Sequence, residues 1–155
     1  MSTIDLFKVD EISISYSPRK TQGVRPQVNS SMDAYVIFKE NWSNDIALRE
    51  EFNILLLDNQ CRVLGMSNLS KGGITSTLVD IRLAFATAIK SRASCMILAH
   101  NHPSNCLRPS LADIALTRKF LYAGKILDIN IWDHIILTPD SGYFSFADED
   151  LITVE

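Results

Sequence analysis

The chain has 155 residues, 46% of them hydrophobic and 21% charged, with a formal net charge of −3. That is one domain's worth of sequence with enough apolar material for a real core, which excludes a disordered or low-complexity chain. The acidic balance and the scattered Lys and Arg argue against direct nucleic-acid binding, which needs a basic excess or stripe.

Cys61, Cys95 and Cys106 show no C-x-x-C pairing, and no leader sequence precedes them, which fits a reducing cytoplasm. No segment reaches membrane-spanning length. Ile12, Ile14 and Tyr16 alternate with Ser13, Ser15 and Ser17, which predicts a strand. Ser17-Pro18 to Pro26 then reads as extended loop. Residues 1–30 are therefore expected to form an N-terminal strand and arm, and 31–150 the main domain. The arm is compatible with an edge strand, a substrate-facing element or an oligomer contact.

Ser30 or Ser31 caps a helix predicted to run to about Trp42, with Ala34, Ile37, Phe38 and Trp42 as its core stripe. Glu50 to Asp58 reads as a mostly buried strand, Asp58-Asn59 as a turn, and Cys61 to Met66 as the hairpin partner. Glu50 and Glu51 head this strand on opposite faces. By themselves they read as solvated carboxylates at a strand end. Ser67 to Thr77 is expected to be loop, and its Lys71-Gly72-Gly73 lacks the spacing of a phosphate-binding loop. Leu78 to about Arg92 is predicted helix, with Leu78, Ile81, Phe85 and Ile89 toward the core.

Cys95 to Ala99 is a short apolar strand, and His100 and His102 stand at its end. Residues i and i+2 share a strand face, so both imidazoles can address one metal ion while Asn101 faces away. Pro103 ends the pairing. Ser110 and Asp113 then share a face at a helix start, where they equally spell a capping box. Two imidazoles and one carboxylate are the usual protein ligands of a catalytic zinc, with a fourth position left for water. The helix over 110–123 is predicted to bury Leu116, Phe120 and Ala123, with Gly124 loosening its end. Strands follow at Ile131 to Thr138 and Tyr143 to Phe146, and an acidic tail at Asp148 to Asp150. Asp133-His134 is a polar pair in an apolar strand: His134 is a rival metal ligand, or either residue supports the site. Cys106 near His102 raises a Cys/His nucleophile, although the H-x-H spacing suits a metal better. Strands alternating with helices predict a three-layer α/β fold, a mixed sheet of five or six strands with helices on both faces.

His100-x-His102, seven residues, Ser110, two residues and Asp113 together resemble the JAMM zinc motif of the JAB/MPN metalloprotease superfamily. The strings HNHPS, DIALT, AGKILDI and DHIILT, spread between about Glu50 and Ser145, resemble its RadC-like branch. That branch reads Gly where this chain has Asn105, a residue that tolerates left-handed backbone. It also often carries an N-terminal helix-hairpin-helix region, for which this chain is expected to have no space. The resemblance implies a JAB/MPN-like fold and Zn2+ held by His100, His102 and Asp113. It makes Glu50, in preference to Glu51, the general base, and Ser110 the donor to the oxyanion. It implies a metallopeptidase or isopeptidase acting on a peptide or protein. The alternatives are a DNA-repair accessory protein without peptidase activity, and a silent scaffold that keeps zinc for stability.

Overall fold

In the computed structural model, which describes residues 9–11, 13, 23–73 and 77–153, Ser30 starts the first helix. Its hydroxyl accepts from the Asp33 N–H at 3.2 Å, and the Asp33 carboxylate accepts from the Asn29 N–H at 2.9 Å. Helix α1 (Ser31–Asn41) buries the predicted stripe: Ala34 and Phe38 are enclosed, with Ile37 and Trp42 packed beside them. Apart from Ser13, the strand expected at Ile12 to Tyr16 lies outside the described residues. Pro26 and Val28 run beside the turn into the second strand, the Val63 N–H donating to the Pro26 carbonyl and the Val28 N–H to that of Cys61.

The strands are β1 (Glu51–Leu57), β2 (Val63–Lys71), β3 (Cys95–Asn101), β4 (Asn130–Leu137) and β5 (Tyr143–Ser145). They form one sheet in the order β2-β1-β3-β4-β5. β3 and β4 are parallel and the other neighbours antiparallel, so the sheet is mixed, with five strands. Helix α1 covers one face, and α2 (Ile81–Lys90) and α3 (Leu111–Leu127) cover the other, giving the predicted three layers. β1 is buried along its whole length. Its alternate residues feed the two cores: Phe52, Ile54 and Leu56 meet Met96, Leu98 and Phe120, while Leu55 and Leu57 meet Phe38, Ile97 and Ile135. Among the described residues, no helix is long and apolar enough to cross a membrane.

Three boundaries differ from expectation. β2 runs on to Lys71, paired with Glu51, where loop was expected after Met66. Backbone pairing carries this stretch along the sheet edge, so polar Ser67, Asn68 and Ser70 are no obstacle to it. α2 begins only at Ile81, because the Asp80 carboxylate caps it through the Arg82 N–H. Leu78 therefore precedes the helix and is 93% exposed, Ile89 is exposed, and Ala84, Phe85 and Ala88 form the buried face. α3 continues through Gly124 to Leu127 and stops at Asp128 in left-handed backbone, φ 54°. Gly124 does not loosen the helix end: it lets the returning chain approach, since a Cβ there would clash with the Ile129 carbonyl oxygen.

One irregularity bears on the site. The β3–β4 register shifts between Met96 and Ile97, which leaves Trp132 without an opposite residue. Beyond that shift Asp133 pairs with Ile97 on the α1 side, and His134 pairs with Leu98 on the α2 and α3 side.

Candidate metal centre

β3 delivers His100 at its last turn of pleat, on the same face as Leu98 and opposite Asn101. The His102 N–H donates to the Leu137 carbonyl at 2.8 Å, which extends the strand line just far enough to bring the second imidazole round. Asp113 comes from the first turn of α3, where Ser110 caps the helix. The Ser110 hydroxyl accepts from the Asp113 N–H at 3.1 Å and donates to Asp113 Oδ2 at 2.7 Å, and the Ser110 N–H donates to that same oxygen at 2.7 Å. The capping box seen in the sequence thus also aims the carboxylate.

These elements bring three donor atoms to one point. His100 Nε2 lies 3.0 Å from His102 Nε2 and 3.2 Å from Asp113 Oδ1, and His102 Nε2 lies 3.6 Å from Asp113 Oδ2. Bonds of about 2.0–2.1 Å at tetrahedral angles separate neighbouring ligand atoms by about 3.3 Å. Two nitrogens and a carboxylate oxygen at these spacings could hold one metal ion. His134, the rival ligand, stands behind them: its Nε2 is 2.8 Å from His100 Nδ1.

The surroundings set the charges. Burial would raise the Asp113 carboxyl, but hydrogen bonds to His100 and His102 outweigh it and hold the group well below the usual carboxylate range. Burial pushes the His102 ring down, yet its bonds to Asp113 and to the Cys106 carbonyl leave its pKa above the ordinary histidine value. Full burial drives His134 well below that value. Phe52 lies against His100 with ring centroids 6.2 Å apart and planes 6° from parallel, and Phe120 stacks behind Phe52.

Glu50, the residue just before β1, reaches the same place. It shares a cavity of about 350 Å³ with Phe52, Leu78, Ser110, Leu116 and the three candidate ligands. Its backbone is clamped by the glycine loop, the Glu50 N–H donating to Gly73 and the Gly72 N–H to Glu50. Burial raises its carboxyl pKa, partly offset by His100 and His102. Glu51 does not share this cavity. It is 2% exposed, so it is not a solvated carboxylate, and it takes hydrogen bonds from Ser43 and Asn68. Asp133 also lies off the site, accepting from Ser145 and Ala147 on the α1 side. The His102–Cys106 contact runs from Nδ1 to the cysteine's backbone carbonyl at 2.7 Å, so it engages no thiol. Asn105, in the connecting loop, adopts the left-handed backbone expected of it, φ 61°, and its side chain pairs twice with Asp140.

Two neighbours of the site escaped the sequence reading. Thr117 is buried one helical turn after Asp113, its hydroxyl 2.6 Å from His134 Nδ1. Lys119 lines the cavity. Thr117 left a signal: it is a hydroxyl on the core side of a helix, four residues beyond a candidate ligand.

A family model described as the RadC-like JAB domain matches residues 28–151. The chain is 43% identical over 125 residues to a protein of Flavobacterium johnsoniae called UPF0758 protein, covering 81% of this chain and 53% of that one. It is 45% identical over 104 residues to a protein of the same name from Porphyromonas gingivalis, covering 67% and 46%. A third, from Desulfitobacterium hafniense, is 38% identical over 130 residues, covering 83% and 56%. The chain spans about half the length of these curated relatives.

Proposed function

Because this chain belongs to the RadC-like JAB domain family, we propose that it is a zinc-dependent hydrolase of amide bonds, acting on a peptide or on an isopeptide link in a protein. One observation carries the reading: three ligand atoms meet on the wall of a cavity that also receives the desolvated Glu50 carboxyl. A purely structural zinc site surrounds its ion with four protein ligands, whereas three are gathered here among the described residues. When bound, zinc would supply Lewis acidity, polarising a carbonyl and bringing the ionisation of water close to neutral pH.

The remaining steps belong to the protein. Glu50 takes a proton from water as it attacks the carbonyl carbon, and returns that proton to the amide nitrogen as the C–N bond breaks. Burial raises its pKa, the direction that makes a carboxylate a stronger base. Ser110 orients Asp113 through its hydroxyl; turned toward substrate, the same hydroxyl donates to the developing oxyanion. Residues 31–150 form the catalytic unit in this reading, with 1–30 an appended arm. Cytoplasmic residence suits the three free cysteines.

The test is metal content paired with cleavage. The purified protein should carry about one zinc per chain and cut members of a peptide library, and His100→Ala should lose both properties. A metal-free, inactive protein that binds DNA tightly and selectively would favour the DNA-repair accessory role instead.

A further inference from the structure

We propose that Thr117 and His134 are positioning residues that hold His100 as its Nδ1–H tautomer and so keep its Nε2 bare toward the metal position. This rests on the reading that His100, His102 and Asp113 hold a metal, and it concerns how one of those ligands is prepared.

The directions of these hydrogen bonds are forced one after another. The Thr117 hydroxyl lies 2.7 Å from the Asp113 carbonyl oxygen, which can only accept. The single hydroxyl proton of Thr117 is therefore committed there. The same oxygen lies 2.6 Å from His134 Nδ1, and with its proton spent it can only accept from that ring. His134 thus carries its proton on Nδ1. The ring is wholly enclosed, stacked on Phe146 with centroids 4.7 Å apart and tilted against Phe52 at 5.6 Å. A neutral ring protonated at Nδ1 presents a lone pair at Nε2. That lone pair lies 2.8 Å from His100 Nδ1, so His100 donates, and its own proton sits on Nδ1. What remains is His100 Nε2, aimed at Asp113 and His102, the nitrogen that a neutral Nδ1–H ring leaves for a metal.

His102 has its Nδ1 proton fixed by a shorter route. Its Nδ1 faces the Cys106 backbone carbonyl at 2.7 Å, and a carbonyl admits only an N–H partner. Both histidines therefore turn Nε2 toward the metal position, the Nδ1 proton being fixed at one by local backbone and at the other by two side chains from α3 and β4. Ligating histidines commonly donate their second nitrogen to a carbonyl or carboxylate. His100 uses a neutral imidazole as that acceptor, and the imidazole needs Thr117 to set its polarity. The chain also ties Asp113 to His100 through the backbone, because Thr117 is held by the carbonyl of the residue whose carboxylate is the third candidate ligand.

The test reads tautomers first and metal second. In metal-free protein labelled with nitrogen-15 at histidine, the imidazole shifts of His100 and His134 should both report Nδ1–H. Thr117→Val keeps the shape and removes the acceptor; it should mix the tautomers of both rings and weaken zinc affinity by about 10- to 100-fold. Thr117→Ser restores the hydroxyl and should restore both readouts. His134→Gln, which can still accept from His100 Nδ1, should keep affinity closer to wild type than His134→Phe does. Circular dichroism confirms that each variant folds. An Nε2–H tautomer at His100 in the metal-free wild type, or wild-type spectra and affinity in Thr117→Val, overturns the proposal. Because the tautomer measurement needs no metal, it decides this relay even if the chain fails to bind zinc, an outcome that would instead overturn the function proposed above.

Discussion

The Glu51 N–H donates to Asn101 Oδ1 at 2.7 Å, tying the head of β1 to the end of β3 from the face opposite the histidines. The Asn101 amide also donates to the carbonyls of Ile46 and Arg49, at 2.7 and 2.8 Å. One buried side chain thus anchors the segment that leads into β1, and with it the position of Glu50 beside His100. Strand alternation makes this possible: the residue between the two histidines must point away from them, and here it is used to hold the segment that carries Glu50.

Asn101→Leu should therefore cost more than a typical point change. It leaves two carbonyls and one amide without their partner in a buried place, a loss of about 2–4 kcal/mol in unfolding free energy. The midpoint of a denaturant titration measures it. Zinc stoichiometry should survive, because the ligands lie on the other face, while turnover falls as Glu50 loses its fixed place. A stability change under about 1 kcal/mol would mean that the segment before β1 is held by something else.

Metal binding should release a proton. The His102 pKa lies above the ordinary histidine value of about 6.5, and Nε2 must lose its proton before it can act as a ligand. Zinc affinity should therefore rise by about tenfold per pH unit below the His102 pKa and level off above it. Without metal, the same raised pKa has the opposite sense for folding. The contribution of His102 to stability is complete below about pH 6.5 and is lost as pH rises through the folded-state value. Calorimetry in two buffers of different ionisation enthalpy counts the protons; zinc binding that releases none below about pH 6.5 contradicts the ligand assignment of His102.

The thiols should differ sharply in reactivity. Cys106 is exposed, whereas burial pushes the Cys95 thiol up to about 11. An alkylating reagent at pH 8 should label Cys106 in the native protein and reach Cys95 only on unfolding. Cys106→Ser keeps the backbone carbonyl that His102 uses, so zinc affinity and cleavage should persist. Abolished turnover in a zinc-loaded Cys106→Ser protein would revive the cysteine nucleophile.

Much of this site could be read in the chain because its parts are local. His100 and His102 share a pleat, Ser110 and Asp113 share a helical turn, and each pairing follows from backbone periodicity alone. The core stripe of α1 was legible for the same reason. What escaped depends on distant partners. Gly124 looked like a helix end because its use, the close approach of Ile129, belongs to the packing of the returning chain. Leu78 fell on the apolar repeat of α2 but lies before its Asp80 cap. Glu51 looked like a solvated carboxylate because Ser43 and Asn68 reach it from other elements. The partnership of Thr117 with His134 spans 17 residues and two elements, and no periodicity announces it.

Glu50 is the residue on which amide hydrolysis at this site most directly depends in the proposed reading. Once a cleavable peptide is in hand, Glu50→Gln keeps the shape of the side chain and removes its capacity to take a proton. The account predicts about one zinc per chain, an unchanged fold and a rate reduced by at least about 10²-fold, the usual size of a general-base effect. A zinc-loaded Glu50→Gln protein that cleaves as fast as wild type would contradict it.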